Sequence, residues 1–215
     1  MNVHHNKILP AAEVFNKNAL LYEEKFMNVD AYSEWLEIFC SAINKVDADI
    51  LDVACGPGNI IRQILNEHTN YHVLGIDLAP AMLQLAIKNN PAAQFLEMDS
   101  RNILQLNRKF DGIICSFIFP YLTPGEAEKF IADASQLLQI GGCIYISTME
   151  GDEYLSGVQT SSTGDQLFMY YHQGHVIADI LVKNGFKILN ITRINQMSTN
   201  GKLVPEVIII ALKAN

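Results

Sequence analysis

Two early stretches carry apolar residues at helical spacing: Val14, Phe15, Leu20, Leu21, Tyr22 and Phe26 between Ala11 and Met27, and Trp35, Leu36, Ile38, Phe39 and Ile43 between Ala31 and Asn44. They predict two helices ahead of any strand. From Ile50 the pattern changes to short apolar, β-branched runs (Ile50–Val53, Tyr71–Ile76, Gln94–Met98, Phe110–Phe117) that alternate with helical stretches at Asn59–Glu67, Pro80–Asn89 and Pro124–Leu138. Pro80 and Pro124 suit a first helical turn, where the missing N–H has no partner to lose. Strand–helix alternation with short connections builds a parallel sheet through right-handed crossovers. The end of the chain differs. After a helix from about Gln173, the runs Phe186–Asn195 and Pro205–Leu212 flank Ser198-Thr199-Asn200-Gly201, which reads as a hairpin turn and makes the last strand antiparallel. Between the fifth strand and that helix, Gly151–Tyr171 is polar and rich in Ser, Thr and Gly, the composition of a long loop that serves as a lid.

The length of 215 residues fits one domain, able to bury about 70% of its unfolded surface. The expected division is an N-terminal helical cap (1–46), a core (47–149), a lid (150–172) and a C-terminal helix with hairpin (173–215). No apolar stretch reaches the roughly 18 to 20 residues that span a bilayer, and Met1–Lys7 lacks the apolar core of a signal peptide. A soluble cytoplasmic protein is the expectation. Cys40, Cys55, Cys115 and Cys143 are scattered, with no Cys-x-x-Cys pair, so reduced thiols and no metal site are expected. A net charge of −8 argues against nucleic acid as partner, since phosphate affinity comes from clustered Lys and Arg. Either a monomer or a homodimer is expected.

Chemistry concentrates at the strand ends. Leu51-Asp52-Val53-Ala54-Cys55-Gly56-Pro57-Gly58 is a buried strand breaking into two glycines before a helix, the place where open α/β sheets bind nucleotides. Gly56 and Gly58 permit positive φ and let a ligand lie against bare backbone, Gly58 being the expected point of closest approach. Asp77, nineteen residues after Gly58, ends the second run, where a carboxylate accepts both hydroxyls of an adenosine ribose. Asp52 lies inside the first strand, where an isolated carboxylate is expensive to bury without a partner. Asp99 ends the third run and is placed to accept from an adenine amine, and Ser116-Phe117 opens the loop after the fourth.

These motifs resemble the class I S-adenosylmethionine-dependent methyltransferases, in particular the small-molecule type related to the ubiquinone/menaquinone-biosynthesis group. Gly75-Ile76-Asp77-Leu78-Ala79-Pro80-Ala81-Met82, Glu97-Met98-Asp99, Ile140-Gly141-Gly142-Cys143 and Asn184-Gly185-Phe186 carry the resemblance beside the glycine loop. It implies a Rossmann-like α/β fold, a seven-stranded mostly parallel sheet with an antiparallel last strand and helices on both faces. It also implies S-adenosyl-L-methionine as cofactor, with S-adenosyl-L-homocysteine as product, and a small-molecule acceptor. Asp52, Asp77 and Asp99 become cofactor residues, with Ala54, Cys55, Gly56 and Ser100 lending backbone and Leu78, Met82, Ser116 and Phe117 lining the slot. Tyr22 closes it. Tyr121, Tyr171 and His172 fall on the acceptor side, and His172 is the candidate catalytic residue, beside the plainer role of an imidazole that caps a helix. Two departures stand out: Asn59 replaces a Thr or small residue common after the second glycine, and Phe117-Ile118-Phe119-Pro120-Tyr121 lacks the His common after the fourth strand.

The rival readings are a catalytically inactive cofactor-binding or partner protein of the same fold, and an NAD-dependent oxidoreductase. The second leaves Asp52 and Asp99 without a role and has Ile61 where its third glycine belongs.

Overall fold

The computed structural model describes residues 8–197 and 203–214; Met1–Lys7 and the predicted turn Ser198–Gly201 lie outside the described residues. Among the described residues nine strands and seven α-helices follow in order: α1 (Ala11–Lys17), α2 (Ala19–Phe26), α3 (Ser33–Ala42), β1 (Asp49–Val53), α4 (Asn59–Glu67), β2 (His72–Asp77), α5 (Pro80–Asn89), β3 (Gln94–Glu97), β4 (Phe110–Ser116), α6 (Pro124–Leu137), β5 (Leu138–Met149), β6 (Gly157–Thr160), β7 (Gln166–Met169), α7 (Gly174–Lys183), β8 (Phe186–Met197) and β9 (Leu203–Lys213). Seven strands form one sheet in the order β3-β2-β1-β4-β5-β9-β8. β1 to β5 pair in parallel, and β9 runs antiparallel to both β5 and β8. The chain order reverses between β1 and β4, which opens the crevice at the carboxyl ends of those strands.

Both faces of the central strands are buried, which is why their sequences read as nearly continuous apolar runs. Leu51, Val53, Ile113, Ile144, Ile146 and Ile209 meet α6 and α7 through Phe130, Ile131, Ile177 and Leu181 on one face. Ile50, Ile114, Tyr145, Ile208 and Ile210 meet α3, α4 and α5 through Phe39, Ile61, Ile64 and Ala86 on the other. α6 begins with a full capping box: the Thr123 hydroxyl accepts from the Glu126 amide, and the Glu126 carboxylate accepts from the Thr123 amide. All four cysteines are free and buried. Among the described residues no helix is long and apolar enough to cross a membrane.

The structure departs from the sequence-based expectations in two places. The first predicted helix is broken at Asn18 (φ −107°, ψ 17°), whose side-chain amide donates to the Val14 carbonyl beside its own backbone N–H and also to Asp165. The cap is therefore three helices joined by short links. The predicted lid loop contains a β6–β7 hairpin with Ser161–Gly164 in its turn. Asp165 ties it to Lys17 (2.7 Å) and Asn18 (3.1 Å), and the Leu9 amide bonds to the Gln166 carbonyl. These pairings are distant in sequence and carry no local signature.

Candidate active site

The loop from β1 to α4 alternates left-handed residues: φ is +58° at Ala54, +53° at Gly56 and +78° at Gly58. Ala54 bears a side chain in a region that costs such residues about 1 to 2 kcal/mol, and Phe117, at the end of β4, has φ +56°. Strain on two neighbouring strand ends marks a site held for function. The two glycines have different reasons to be glycine. A Cβ on Gly56 would meet only Tyr22 Cε1, at 3.8 Å, so its bare side faces the crevice. A Cβ on Gly58 would lie 2.2 Å from Asn90 Nδ2 and 3.4 Å from Ala86 Cα. The closest approach assigned to Gly58 is therefore corrected: its bare side admits α5 and the Asn90 amide, which donates to the Gly58 carbonyl at 3.0 Å, whereas Gly56 offers room to a ligand.

Asp77 turns back across the crevice mouth. Its Oδ2 accepts from the Gly56 amide at 2.9 Å and its Oδ1 from the Ala79 amide at 2.8 Å, so the tip of β2 is fastened to the glycine loop. Burial raises its pKa against those amides. Asp52 is 1% exposed and its Oδ2 has no hydrogen-bond partner. Burial first, and the Asp77 charge second, push its carboxyl well above the usual range. An orphaned buried carboxylate beside a second one is the electrostatic complement of a cation. Cys55 turns its thiol toward Gly75, away from the crevice, and contributes backbone alone.

Asp99 sits differently from the two other aspartates. Burial raises its carboxyl, but the Arg101 guanidinium, bound through Nε and Nη2 at 2.8–3.1 Å, and the Arg101 amide outweigh this and hold it below the ordinary range. Arg101 also reaches Glu126 at 3.2 Å, so β3 and α6 are joined beside Ser100. An amine arriving at Asp99 would share it with this arginine.

Aromatic rings roof the crevice. Tyr22 stacks edge-on with Phe15 (5.7 Å between ring centres), which in turn meets Tyr121 (5.3 Å), and Met82 is buried beneath Phe15 and Tyr22. Burial, then Asp77 and Asp52, push the Tyr22 hydroxyl up to about 12, so it is a neutral donor at physiological pH. Leu78 stays exposed at the β2 tip. On the β4 side, Ser116 Oγ lies 3.0 Å from Ser147 Oγ, and the Phe117 amide donates to the Ser147 carbonyl at 2.8 Å.

Tyr171 and His172 occupy the hinge of the lid. The Tyr171 ring packs against the bare face of Gly151. His172 is 8% exposed, and its Nε2 lies 2.9 Å from the Phe119 carbonyl and 3.0 Å from that of Leu122, with the ring edge-on to Phe119. Both neighbours are acceptors, so Nε2 carries the proton, and the imidazole clamps the aromatic loop after β4. In this structure His172 Nε2 is engaged in holding that loop, the plainer structural role set beside the catalytic one. Burial lowers its pKa and keeps it neutral. His172→Ala is expected to destabilise the protein by about 1 to 3 kcal/mol, by leaving two buried carbonyls unpaired, while cofactor affinity stays unchanged; denaturant unfolding beside calorimetric titration checks both.

Sequence reasoning missed the residues that bind the cap to the glycine loop. Asn59 Nδ2 donates to the Phe26 carbonyl (2.9 Å), Arg62 to that of Met27 (2.7 Å), and Asn89 to Glu23 (2.7 Å) and to the Pro57 carbonyl (3.0 Å). It also missed Glu206, 7% exposed, which accepts from the Tyr32 hydroxyl at 2.8 Å. Only polar residues inside otherwise apolar runs hinted at them.

A glycine loop, an acid at the next strand tip and the reversal of strand order define a nucleotide-type site at the carboxyl edge of a seven-stranded Rossmann-like sheet. Residues 50–142 match the family model described as a methyltransferase domain. An uncharacterized methyltransferase of Oceanobacillus iheyensis is 25% identical over 182 residues, covering 82% of this chain and 76% of the relative. The ubiquinone/menaquinone biosynthesis C-methyltransferase UbiE of Campylobacter jejuni is 26% identical over 145 residues, covering 62% of this chain and 61% of the relative. The crystal structure of an S-adenosylmethionine-dependent methyltransferase from Clostridium acetobutylicum superimposes with a TM-score of 0.70 at 17% identity, covering 94% of this chain and all of that one. Residues 50–142 are thus similar to a methyltransferase domain, and the chain shares the fold of S-adenosylmethionine-dependent methyltransferases.

Proposed function

We propose that this protein is an S-adenosylmethionine-dependent methyltransferase acting on a small molecule. The observation that carries the reading is the pairing of an orphaned buried carboxylate, Asp52, with the open face of Gly56 and the inward-turned Asp77. These residues fit an adenosyl sulfonium: Asp77 for the ribose hydroxyls, Asp52 and the Ala54–Gly56 backbone for the cationic amino-acid end, Asp99 and Ser100 for the adenine edge, and Leu78, Met82, Ser116 and Phe117 as walls. The bound cofactor supplies an already activated methyl group. The protein's own work is orientation and exclusion of water, and holding reactants in line can supply about 7 to 11 kcal/mol of a barrier. Tyr22 and Phe15 exclude solvent above the slot, while the His172 clamp fixes Phe119 and Tyr121 on the acceptor side.

The test is calorimetric titration with S-adenosylhomocysteine, with NADH as the comparison. Uptake of the first and not the second is expected; the reverse would make the protein an oxidoreductase. Asp52 gives this binding a pH signature. Because its folded pKa is raised, folding stability of the free protein falls as pH climbs from about 4 toward the raised value, and affinity for a cationic ligand climbs over the same window. Asp52→Asn is expected to flatten both trends, to raise the melting temperature of the free protein near neutral pH and to weaken binding. A wild-type affinity that ignores pH in this window would remove Asp52 from the site.

A further inference from the structure

The antiparallel course of β9 brings its first residues to the carboxyl edge of the parallel strands. Glu206 pairs in register with Met149 at the end of β5 and with Ile194 on β8. It shares a sheet face with Ser147 and Tyr145 on β5, Ser116 and Ile114 on β4 and Asp52 on β1, because paired residues point the same way and alternate residues share a side. That face holds an orphaned buried atom, Asp52 Oδ2, and the buried Tyr145 hydroxyl beside Ser147. Tyr32, whose hydroxyl donates to Glu206 Oε2, lays its ring against Phe117 (5.9 Å) and Trp35 (6.5 Å). Glu206 is thus linked through Tyr32 to the residue that opens the acceptor side of the crevice.

The pair is a poor structural device. Burial raises the Glu206 carboxyl against the single bond from Tyr32, and no basic side chain among the described residues pairs with it. A buried carboxylate answered only by a phenol costs more than an apolar pair of the same size. The aromatic faces of Tyr32, Trp35 and Phe117 beside it favour a cation.

We propose that Glu206, presented by Tyr32 beside Trp35 and Phe117, recognises the methyl acceptor and selects molecules bearing an amine over those bearing a carboxylate. This rests on the methyltransferase reading and deepens it by naming the acceptor's charge class. Trp35 is the chain's single tryptophan, so its fluorescence reports entry at this place. The experiment saturates the protein with S-adenosylhomocysteine at pH 7.5 and titrates benzylamine and benzoate, followed by Trp35 emission and calorimetry. Wild type is expected to hold benzylamine at least about tenfold tighter than benzoate, Glu206→Gln to bring the ratio near one, and Glu206→Asp to keep most of it, as the loss of one charged contact requires. S-adenosylhomocysteine affinity is expected to stay within about twofold in both variants. Equal binding of the two probes, no uptake of benzylamine, or a preference that survives Glu206→Gln would overturn the proposal. Failure of the wild type to take up S-adenosylhomocysteine would instead overturn the cofactor reading.

Discussion

Asp77→Ala is expected to weaken S-adenosylhomocysteine binding by about 1.5 to 3 kcal/mol, the magnitude of hydrogen bonds to a charged group. Two effects add. The ribose hydroxyls lose their acceptor, and the Gly56 and Ala79 amides, held at 2.9 and 2.8 Å by the carboxylate, lose the fastening that sets the loop. The free protein is expected to lose less, because the substitution also removes a buried charge whose pKa burial has raised. Asp77→Asn keeps one acceptor oxygen and should fall between the two. Calorimetric titration of the three proteins, with thermal melts in the absence of ligand, checks the order; an affinity unchanged in Asp77→Ala would detach the β2 tip from the cofactor.

The second large effect separates the two loop glycines. Gly58→Ala places a methyl 2.2 Å from the Asn90 amide nitrogen at φ +78°, so backbone strain and a displaced buried amide together are expected to cost about 2 to 4 kcal/mol of folding stability. Gly56→Ala carries only the strain, about 1 to 2 kcal/mol, because its new methyl would reach nothing nearer than Tyr22 Cε1 at 3.8 Å. That methyl stands in the crevice, so a fall in S-adenosylhomocysteine affinity of at least about tenfold, or about 1.4 kcal/mol, is expected from a well-folded protein. Unfolding curves and binding isotherms for both variants decide the matter: if Gly58→Ala is the stable one and Gly56→Ala binds normally, the assignment of the loop is inverted.

Much of the sheet was legible because each central strand is buried on both faces and announces itself as an apolar run. The crossover helices α4 and α5 were readable to the residue, and Pro80 and Pro124 marked starts that the structure keeps. The break at Asn18 was hidden, since the Asp165 carboxylate that its side chain bonds lies 147 residues away. The lid hairpin was equally hidden: its strands are four residues long and bury only Leu167, too little apolar alternation to read in a polar stretch. Within the candidate site, the glycines and the aspartates at strand ends could be seen as a set, but their division of labour could not. That Gly58 serves helix packing, that Asp99 is held by Arg101, and that His172 clamps two carbonyls are facts about neighbours from other elements.

By itself the sequence determined the order of the main-sheet strands and their crossover helices, the turn where backbone lies bare and the acids that ring it, because periodicity, glycine and strand-end position are local properties of the chain. The tertiary structure alone decided which acid stays orphaned, which is fastened to the loop, and that Glu206 and Tyr32 meet across 174 residues. The reason is physical: the state of a carboxylate depends on the water it has lost and the donors that replace it, and both are supplied by parts of the chain that only folding brings together.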